Sequence, residues 1–458
     1  AWLSNLNNQD ALCDVEVLDG FQNLLPANIS YATQNVYSCL LDAYKRSELD
    51  EETNLGLFGL NSRLTDLAEP SESLTVNVVF QVGLEPQHVL LSSRQLGNFR
   101  FGKELEFEKE IRGERGAYFV HACLHLEAEQ MASWYLVADV DQDHASLAQL
   151  QDFLRLSHDE KQHAIETDIQ LNASNLQKFV TYADGLQVSE KTQDSAHHFS
   201  NVMFNIMRGG IFSQNYWVGK ADLLNYLSTH QRDLPTIHAD FFAALPERFT
   251  ILELRAYAAR LDDPNLRRLL NTYLPLTFSR RHGDPSRPWN VFSINLKNED
   301  GSLRLDYAGN WRDIFQNWEA LVYSFPQFTE ATVDTFLCAT TADGYNPYRI
   351  SRAGIDWEVP EEGNPWANIG YWSDHQIIYL LKLMEASDRF HPGELRLKLN
   401  APTLSYANVP YRIKSYGELQ KDPHNTIVFD HKLHESILER VRQFGTDGRL
   451  LFAGNGSV

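Results

Sequence analysis

The sequence predicts an α+β protein with more than one folded unit, in which an N-terminal β-sheet region precedes a C-terminal helical region. Two observations support this prediction. The chain has 458 residues, and since domains average roughly 150 residues, two or three units are expected. The spacing of apolar residues also lengthens from two to three or four at about Asp143. These spacings are typical of strands and helices respectively.

The segment from about 70 to 143 contains the strand pattern. Between Leu74 and Val82, apolar residues alternate with mostly polar ones, as they do in a half-buried strand. One face of each predicted strand is polar, which favours an antiparallel sheet. Similar alternation recurs over 104–111, 118–126 and 134–140.

Helical spacing follows this segment and continues through the rest of the chain. Leu147, Leu150 and Leu154 lie three and four residues apart, and Thr250 with Glu253 is typical of a capping box that opens a helix. We therefore predict three domains: a β-rich domain over 1–144, a helical linker over 145–194 and a helical domain over 195–458.

The composition excludes several classes of function. The formal net charge is −21 and the sequence pI is about 5.2, whereas binding to a phosphate backbone requires a positive surface. We therefore expect no nucleic-acid partner. No run approaches the roughly 18 apolar residues that cross a bilayer, and the N-terminus lacks a signal-peptide pattern. The four cysteines are widely spaced, which indicates free thiols and a cytoplasmic location.

Common catalytic and cofactor motifs are absent from the sequence. It contains no H-E-x-x-H, P-loop, G-x-S-x-G or G-x-G-x-x-G string. We therefore predict neither a metal nor an organic cofactor.

Tryptophans are concentrated in one part of the helical region. Six of the nine lie between residues 289 and 372. Exposed aromatic rings suit the apolar faces of sugars, while carboxylates, guanidinium groups and amides bind sugar hydroxyls. The alternative is that these rings fill a large helical core. Their position on predicted loops beside Asp, Arg, Asn and Gln favours a carbohydrate pocket.

One polar segment in this region opens a predicted helix at 311–319. Arg312, Asp313 and Gln316 are three and four residues apart, so their side chains are close in helical space. They are candidate ligands for a sugar. The structural alternative is that Asp313 only caps the helix.

Two further polar segments lie on predicted loops, at 280–289 and 343–376. The first contains three arginines and an aspartate, which bind an anion or a polyol, or alternatively brace the loop as ion pairs. The second contains Arg349, at the end of an Asn-Pro-Tyr-Arg string. It also contains Asp374 and His375, just before the next helix. There the alternative is that Asp374 is a helix cap.

These motifs carry a family resemblance. A W-R-D-x-x-Q segment at 311–316 is followed about sixty residues later by W-S-D-H at 372–375, an order that resembles the cellobiose and chitobiose phosphorylase family. The region 195–444 is similar to large bacterial phosphorylase-like proteins. The resemblance implies an N-terminal β-sandwich, a helical linker and an (α/α)6 barrel that is incomplete at its C-terminus. Asn317 and His375 stand where the family has Asp.

The resemblance also implies roles for individual residues. Arg312 and Asp313 would orient the donor sugar, Asp374 would support that subsite, and Trp311 and Trp372 would stack on the sugar or form its wall. The full set of expected substrate-binding residues is Arg312, Asp313, Gln316, Trp311, Asp374, Trp372, His375 and Arg349.

No residue of the chain is predicted to be the general acid. The family places that acid in a D-W-N-D-G segment, and no W-N-D string occurs here. We expect the acid to lie beyond Val458, in a longer polypeptide of which this chain is a portion.

The expected reaction is inverting cleavage of an oligosaccharide or disaccharide by inorganic phosphate, which gives a sugar 1-phosphate. An inverting hydrolase is one alternative, and a non-catalytic glycan-binding protein that lost the acid is another. The resemblance further implies a homodimer.

Overall fold

The structure is a computed structural model in which two compact units are distinguished, Ala1–Ala173 and Ser174–Val458. The boundary between the units falls inside one long helix and within the segment 145–194. The division into three domains stays a prediction. The structure describes residues 1–6, 12–65, 68, 71–279, 297–298, 302–347, 349–357, 359–360, 376–399, 403–423 and 425–452.

The first unit is rich in strands, and its described strand pairs are antiparallel. Its elements are β1 (Trp2–Ser4), β2 (Cys13–Leu24), α1 (Tyr31–Val36), α2 (Ser38–Tyr44), β3 (Lys45–Asp50), β4 (Leu55–Leu60), β5 (Val76–Val82), β6 (His88–Leu90), α3 (Leu96–Arg100), β7 (Glu110–Arg112), β8 (Gly116–Leu126), β9 (Met131–Ser133), β10 (Tyr135–Gln142), α4 (His144–Leu154) and the start of α5 (His158–Tyr182).

Two sheets dominate this unit. One has the strand order β10-β5-β4-β3-β7 and the other has the order β2-β8-β6. A single hydrophobic cluster includes Phe58 and Val79 from the first sheet and Val89, Tyr118 and Val120 from the second. Burial of these apolar side chains stabilises the unit.

The predicted strand over 104–111 is wrong for most of its length, because only β7, at its end, is a strand. Side chains satisfy polar groups in this segment: the Gln95 amide exchanges hydrogen bonds with the backbone N–H and C=O of Glu106. Glu108 accepts hydrogen bonds from the backbone N–H of Leu91 at 2.7 Å and from the hydroxyl of Ser92 at 3.0 Å. A carboxylate that is satisfied in this way replaces ladder hydrogen bonds, and alternation alone does not reveal it.

The second unit is mainly helical, so the protein as a whole mixes helix and sheet as predicted. Its elements are the end of α5, α6 (Thr192–Gly209), β11 (Gly210–Ile211), β12 (Trp217–Gly219), α7 (Lys220–His230), α8 (Leu234–Ile237), α9 (Ala239–Ala244), β13 (Arg248–Thr250), α10 (Ile251–Ala258), α11 (Pro264–Asn271), β14 (Thr277–Ser279), β15 (Ala308–Asn310), α12 (Trp311–Ser324), α13 (Thr329–Cys338), β16 (Arg349–Ser351), β17 (Gly354–Asp356), α14 (Gln376–Phe390), α15 (Glu394–Lys398), β18 (Ser405–Ala407), β19 (Tyr411–Ile413), α16 (Tyr416–Lys421), β20 (Ile427–Phe429), α17 (His431–Phe444) and β21 (Leu450–Phe452), with 3-10 helices at Pro326–Phe328 and Thr446–Arg449.

Helix α12 lies in the core of this unit. Trp311, Ile314, Phe315 and Trp318 are all fully buried, and their three- and four-residue spacing places them on adjoining faces of the helix. The rings of Trp311 and Phe315 each pack edge-to-face against Phe336 of α13. No helix within the described ranges combines the length and hydropathy that a bilayer crossing requires.

One predicted local signal is confirmed in this unit. The hydroxyl of Thr250 accepts a hydrogen bond from the N–H of Glu253, and the Glu253 carboxylate accepts one from the N–H of Thr250, so α10 begins with a capping box. Helix α17 ends at Gly445, whose φ is 111°. A Cβ there would lie 2.5 Å from the carbonyl oxygen of His230, so only glycine fits at this close approach.

A buried ionic cluster joins distant parts of the unit. Asp447 lies in the 3-10 helix after α17 and forms ion pairs with Arg268 of α11 and, at 2.8 Å, with His230 at the end of α7. All three residues are buried. Burial alone raises the pKa of Asp447, but the charges of Arg268 and His230 and their hydrogen bonds outweigh it and hold the pKa at about 2.

We predict that Asp447→Asn lowers the free energy of unfolding at pH 7 by about 3–5 kcal/mol, because it leaves Arg268 buried without a counter-charge. The folded-state pKa of Asp447 is below its unfolded value. The stability that the carboxylate contributes is therefore present above about pH 4 and is lost as the pH falls towards 2. Urea unfolding at pH 7, 4 and 2.5 measures both effects.

The matched control is Asp388→Asn, since Asp388 is exposed on α14. This variant should unfold at the same urea concentration as the wild type. Equal stability of the Asp447 and Asp388 variants at pH 7 would contradict the stabilising role of the cluster.

Candidate functional site

A polar cavity of about 690 Å³ lies in the second unit. Its wall is formed by α7, by the segment that leads into α12, and by the hairpin of β16 and β17. The lining residues include Asp222, Asn225, Tyr226, Arg304, Asp306, Tyr307, Arg349, Ser351, Arg352 and Asp356. We call this the candidate-site cavity.

The hairpin that carries Arg349 is short and tightly turned. Arg349 pairs with Asp356 across the two strands, and Ser351 pairs with Gly354 next to the turn. Gly354 has a φ of 105°, a conformation that side chains with a Cβ rarely adopt. The antiparallel register places Arg349 and Asp356 side by side, and their side chains form an ion pair.

Three arginine–aspartate pairs line the candidate-site cavity. Besides Arg349 and Asp356, the guanidinium of Arg352 lies 2.7 Å from the carboxylate of Asp222. The third pair is Arg304 with Asp306, at 3.2 Å. Guanidinium and carboxylate groups with fixed geometry form directional hydrogen bonds to hydroxyls, and the guanidinium also binds oxyanions in a bidentate manner.

Arg352 is the most strongly held of the three arginines. Its guanidinium also donates hydrogen bonds to the backbone oxygens of Leu305 and Asp222. Burial alone lowers the pKa of Arg352, but the hydrogen bond and charge of Asp222 outweigh it and raise the pKa above its usual value. Asp222 also accepts a hydrogen bond from the hydroxyl of Tyr273, so this corner of the cavity is preorganised.

The sequence-predicted residues on α12 are not all brought together. Asn310 is the N-cap of the helix, and its side chain accepts a hydrogen bond from the N–H of Asp313 at 2.9 Å. Asp313 is only 6% exposed, and its carboxylate pairs at 3.0 Å with Arg208 from the end of α6. Gln316 is exposed, so Asp313 and Gln316 face different surroundings although they are one turn apart. The side chain of Arg312 lies outside the described residues.

Trp311 lies in the hydrophobic core and does not line a described cavity. Its ring has no exposed surface and stacks on Phe315 at a centroid distance of 5.1 Å. This packing corrects the expectation that the indole stacks on a sugar, because a ring without exposed surface offers no face to a ligand. Its Nε1 has no hydrogen-bond partner in the described part of the chain.

The remaining predicted residues divide into two groups. Arg349 lines the candidate-site cavity, as described above. Trp372, Asp374 and His375 lie outside the described residues, as does the arginine-rich loop at 280–289.

Sequence reasoning missed most of the cavity. Asp222 and Arg352 are 130 residues apart, and no motif links them. Arg208 lies in the region 195–444 that is similar to phosphorylase-like proteins, but nothing in the sequence paired it with Asp313. The described residues contain no group of three or more His, Cys, Asp or Glu side chains that could hold a metal ion.

Comparison with known protein families places part of the second unit beside a carbohydrate-active family. Residues 212–275 match the family model described as glycoside hydrolase family 149 insertion domain 1. No curated protein matches the chain. The matched segment contains α7 and thus Asp222, Asn225 and Tyr226 of the candidate-site cavity. The match covers 64 of the 458 residues and supports a carbohydrate-active function.

Proposed function

We propose that the chain belongs to an inverting glycoside phosphorylase, which cleaves an oligosaccharide or disaccharide with inorganic phosphate to give a sugar 1-phosphate. The observation that carries this proposal is the convergence of three arginine–aspartate pairs on one cavity. Part of its wall lies in the segment that matches a glycoside hydrolase family model. The lining of the cavity also includes Arg349, which the sequence analysis predicts to be a substrate-binding residue.

The proposal includes a specific architecture. The first unit would be the β-sandwich, because its two sheets contribute to one hydrophobic cluster. The second unit would supply helical hairpins of an (α/α)6 barrel, because α12 and α13 form an aromatic core from successive helices. The helices at 145–194 would be the linker.

Phosphate suits this cavity chemically. It arrives as an anion, so the reaction needs a protonated acid for the leaving oxygen and cations for the phosphate, but no base to activate water. Arg349 would bind substrate oxygens at the hairpin, and Asp356 would hold its guanidinium in place. Asp222 would orient Arg352 in the same way, through the ion pair between its carboxylate and the Arg352 guanidinium.

The donor sugar would be bound by residues of the two sequence motifs, at 311–316 and 372–375. Gln316 is exposed and accessible, while Asp313 would act from its buried pair with Arg208. Arg312, Trp372, Asp374 and His375 would complete this subsite. The general acid would come from a segment outside this chain, and a homodimer remains part of the proposal.

We predict that Arg349→Gln weakens oligosaccharide binding by about 10- to 100-fold, because hydrogen bonds to charged groups contribute roughly 1.5–3 kcal/mol. Arg349→Lys should lose most of this affinity too, since lysine lacks the planar fork. Isothermal titration with oligosaccharides measures the affinity. Assays of sugar 1-phosphate release in the presence of phosphate, made with the longer polypeptide that contains the expected general acid, measure the activity and the KM of the variants.

The control for this experiment is Arg260→Gln, because Arg260 is exposed and does not line the cavity. Unchanged affinity in both Arg349 variants would contradict the proposed site. In the longer polypeptide that contains the expected acid, release of reducing sugar without phosphate would instead favour hydrolysis, and saturable binding without turnover would favour a glycan-binding protein.

A second prediction concerns the buried pair of Asp313 and Arg208. In a double-mutant cycle of Asp313→Asn and Arg208→Gln, urea unfolding should give a coupling energy of about 1–3 kcal/mol. If Asp313 also orients the sugar, Asp313→Asn should raise the KM for the donor sugar more than Arg208→Gln does. Equal effects of the two variants on KM would limit Asp313 to a structural role.

A further inference from the structure

A second cavity, of about 750 Å³, lies in the same unit. Its wall is formed by α10, α11, the start of α13 and the segment from the end of α14 through α15. The charged residues that line it are Arg255, Arg267, Glu330, Asp334, His391, Glu394 and Lys398. We call it the arginine cavity.

The arginine cavity and the candidate-site cavity lie at opposite ends of α12. Ala308, three residues before the helix, lines the candidate-site cavity, whereas Gln327, three residues after it, lines the arginine cavity. A helix of 14 residues is about 20 Å long. The two cavities share no lining residue, so they are separate sites.

The anionic groups of the arginine cavity already have partners. The ammonium of Lys398 lies 2.6 Å from both carboxylate oxygens of Asp334 and 3.4 Å from Glu330. Glu330 also accepts a hydrogen bond from Ser387 and lies 3.5 Å from His391. Burial raises the pKa of the Asp334 carboxyl although Lys398 opposes it.

Arg255 and Arg267, the two arginines of the cavity, are bonded differently from its acids. The guanidinium of Arg255 donates to the backbone oxygen of Gln327, and that of Arg267 donates to the backbone oxygen of Leu261. Among the described residues, neither has a carboxylate within ion-pair distance. The Nε of Arg267 is buried and has no hydrogen-bond partner there. Glu394, the remaining acid of the cavity, is exposed.

Buried charges and buried donors are costly unless they are compensated. Arg255 and Arg267 line one cavity without a carboxylate in direct contact, although the charges of Glu330, Asp334 and Glu394 act on Arg255. Such guanidinium groups suit a tetrahedral oxyanion, because each planar fork can donate two parallel hydrogen bonds. We propose that the arginine cavity binds a phosphoryl group, as inorganic phosphate or as a phosphate ester, between Arg255 and Arg267. The cavity is larger than a phosphate ion, and the exposed Leu252 and Leu397 in its lining suit the organic part of an ester.

Isothermal titration of the whole protein with inorganic phosphate tests this proposal, in a chloride buffer of constant ionic strength. We expect two saturable sites in the wild type, because the candidate-site cavity is also proposed to bind phosphate. In Arg255→Gln/Arg267→Gln one of them should lose affinity by at least about tenfold, because charge-assisted hydrogen bonds are removed. A sugar phosphate titrated in parallel distinguishes an ester from the free ion by its affinity.

Two controls make the result specific. Arg396→Gln removes an exposed arginine of α15 that does not line the cavity, and it should leave phosphate binding unchanged. Arg349→Gln changes only the candidate-site cavity, so it too should leave this site intact. The proposed glycosidic activity can fail without affecting either result.

Three outcomes would overturn the proposal: no phosphate binding by the wild type, wild-type affinity at every site in the double variant, or loss of all binding in Arg349→Gln alone. Far-UV circular dichroism verifies that the double variant is folded. If the double variant is not folded, a crystal of the wild type soaked in tungstate shows whether the arginine cavity binds an oxyanion. Density between Arg255 and Arg267 supports the proposal, and density only elsewhere, or none, refutes it.

Discussion

The buried ionic cluster of Asp447, Arg268 and His230 is the constraint on which the candidate site depends. The imidazole of His230 contacts Asp447 with one nitrogen, and its other nitrogen lies 2.9 Å from the backbone oxygen of Arg352. Arg352 is in the turn of the hairpin that positions Arg349. A carboxylate near the end of the described chain therefore fixes the backbone at the wall of the cavity.

Local signals in the sequence were sufficient for many elements of the fold. The capping box at Thr250 is a short-range feature, and it formed as expected. The strand predicted over 104–111 failed because the bonding of Glu108 depends on Leu91 and Ser92, which periodicity does not reveal. Alternation reports which side chains face a core, but it does not report where a buried acid finds its donors.

The candidate site was less accessible to sequence reasoning. Arg349 was predicted because it lies in a polar loop segment, but its neighbours in the cavity come from α7 and from the segment before α12. Trp311 shows the opposite case, in which an aromatic residue in a polar motif serves the core. Arg312 and Asp313, which follow Trp311, were predicted to bind a sugar because they are charged. In the structure, Asp313 forms an ion pair with Arg208 of α6. Such pairings depend on tertiary contacts that are distant in the chain.

The position of Asp447 in the chain also affects biosynthesis. Arg268 precedes it by 179 residues, an interval that a ribosome translates in roughly 10–40 s at 5–20 residues per second. During that time the nascent helices α7 and α11 exist without their counter-ion. The hairpin of β16 and β17 can therefore be held by the complete ionic cluster only after nearly the whole second unit has left the exit tunnel.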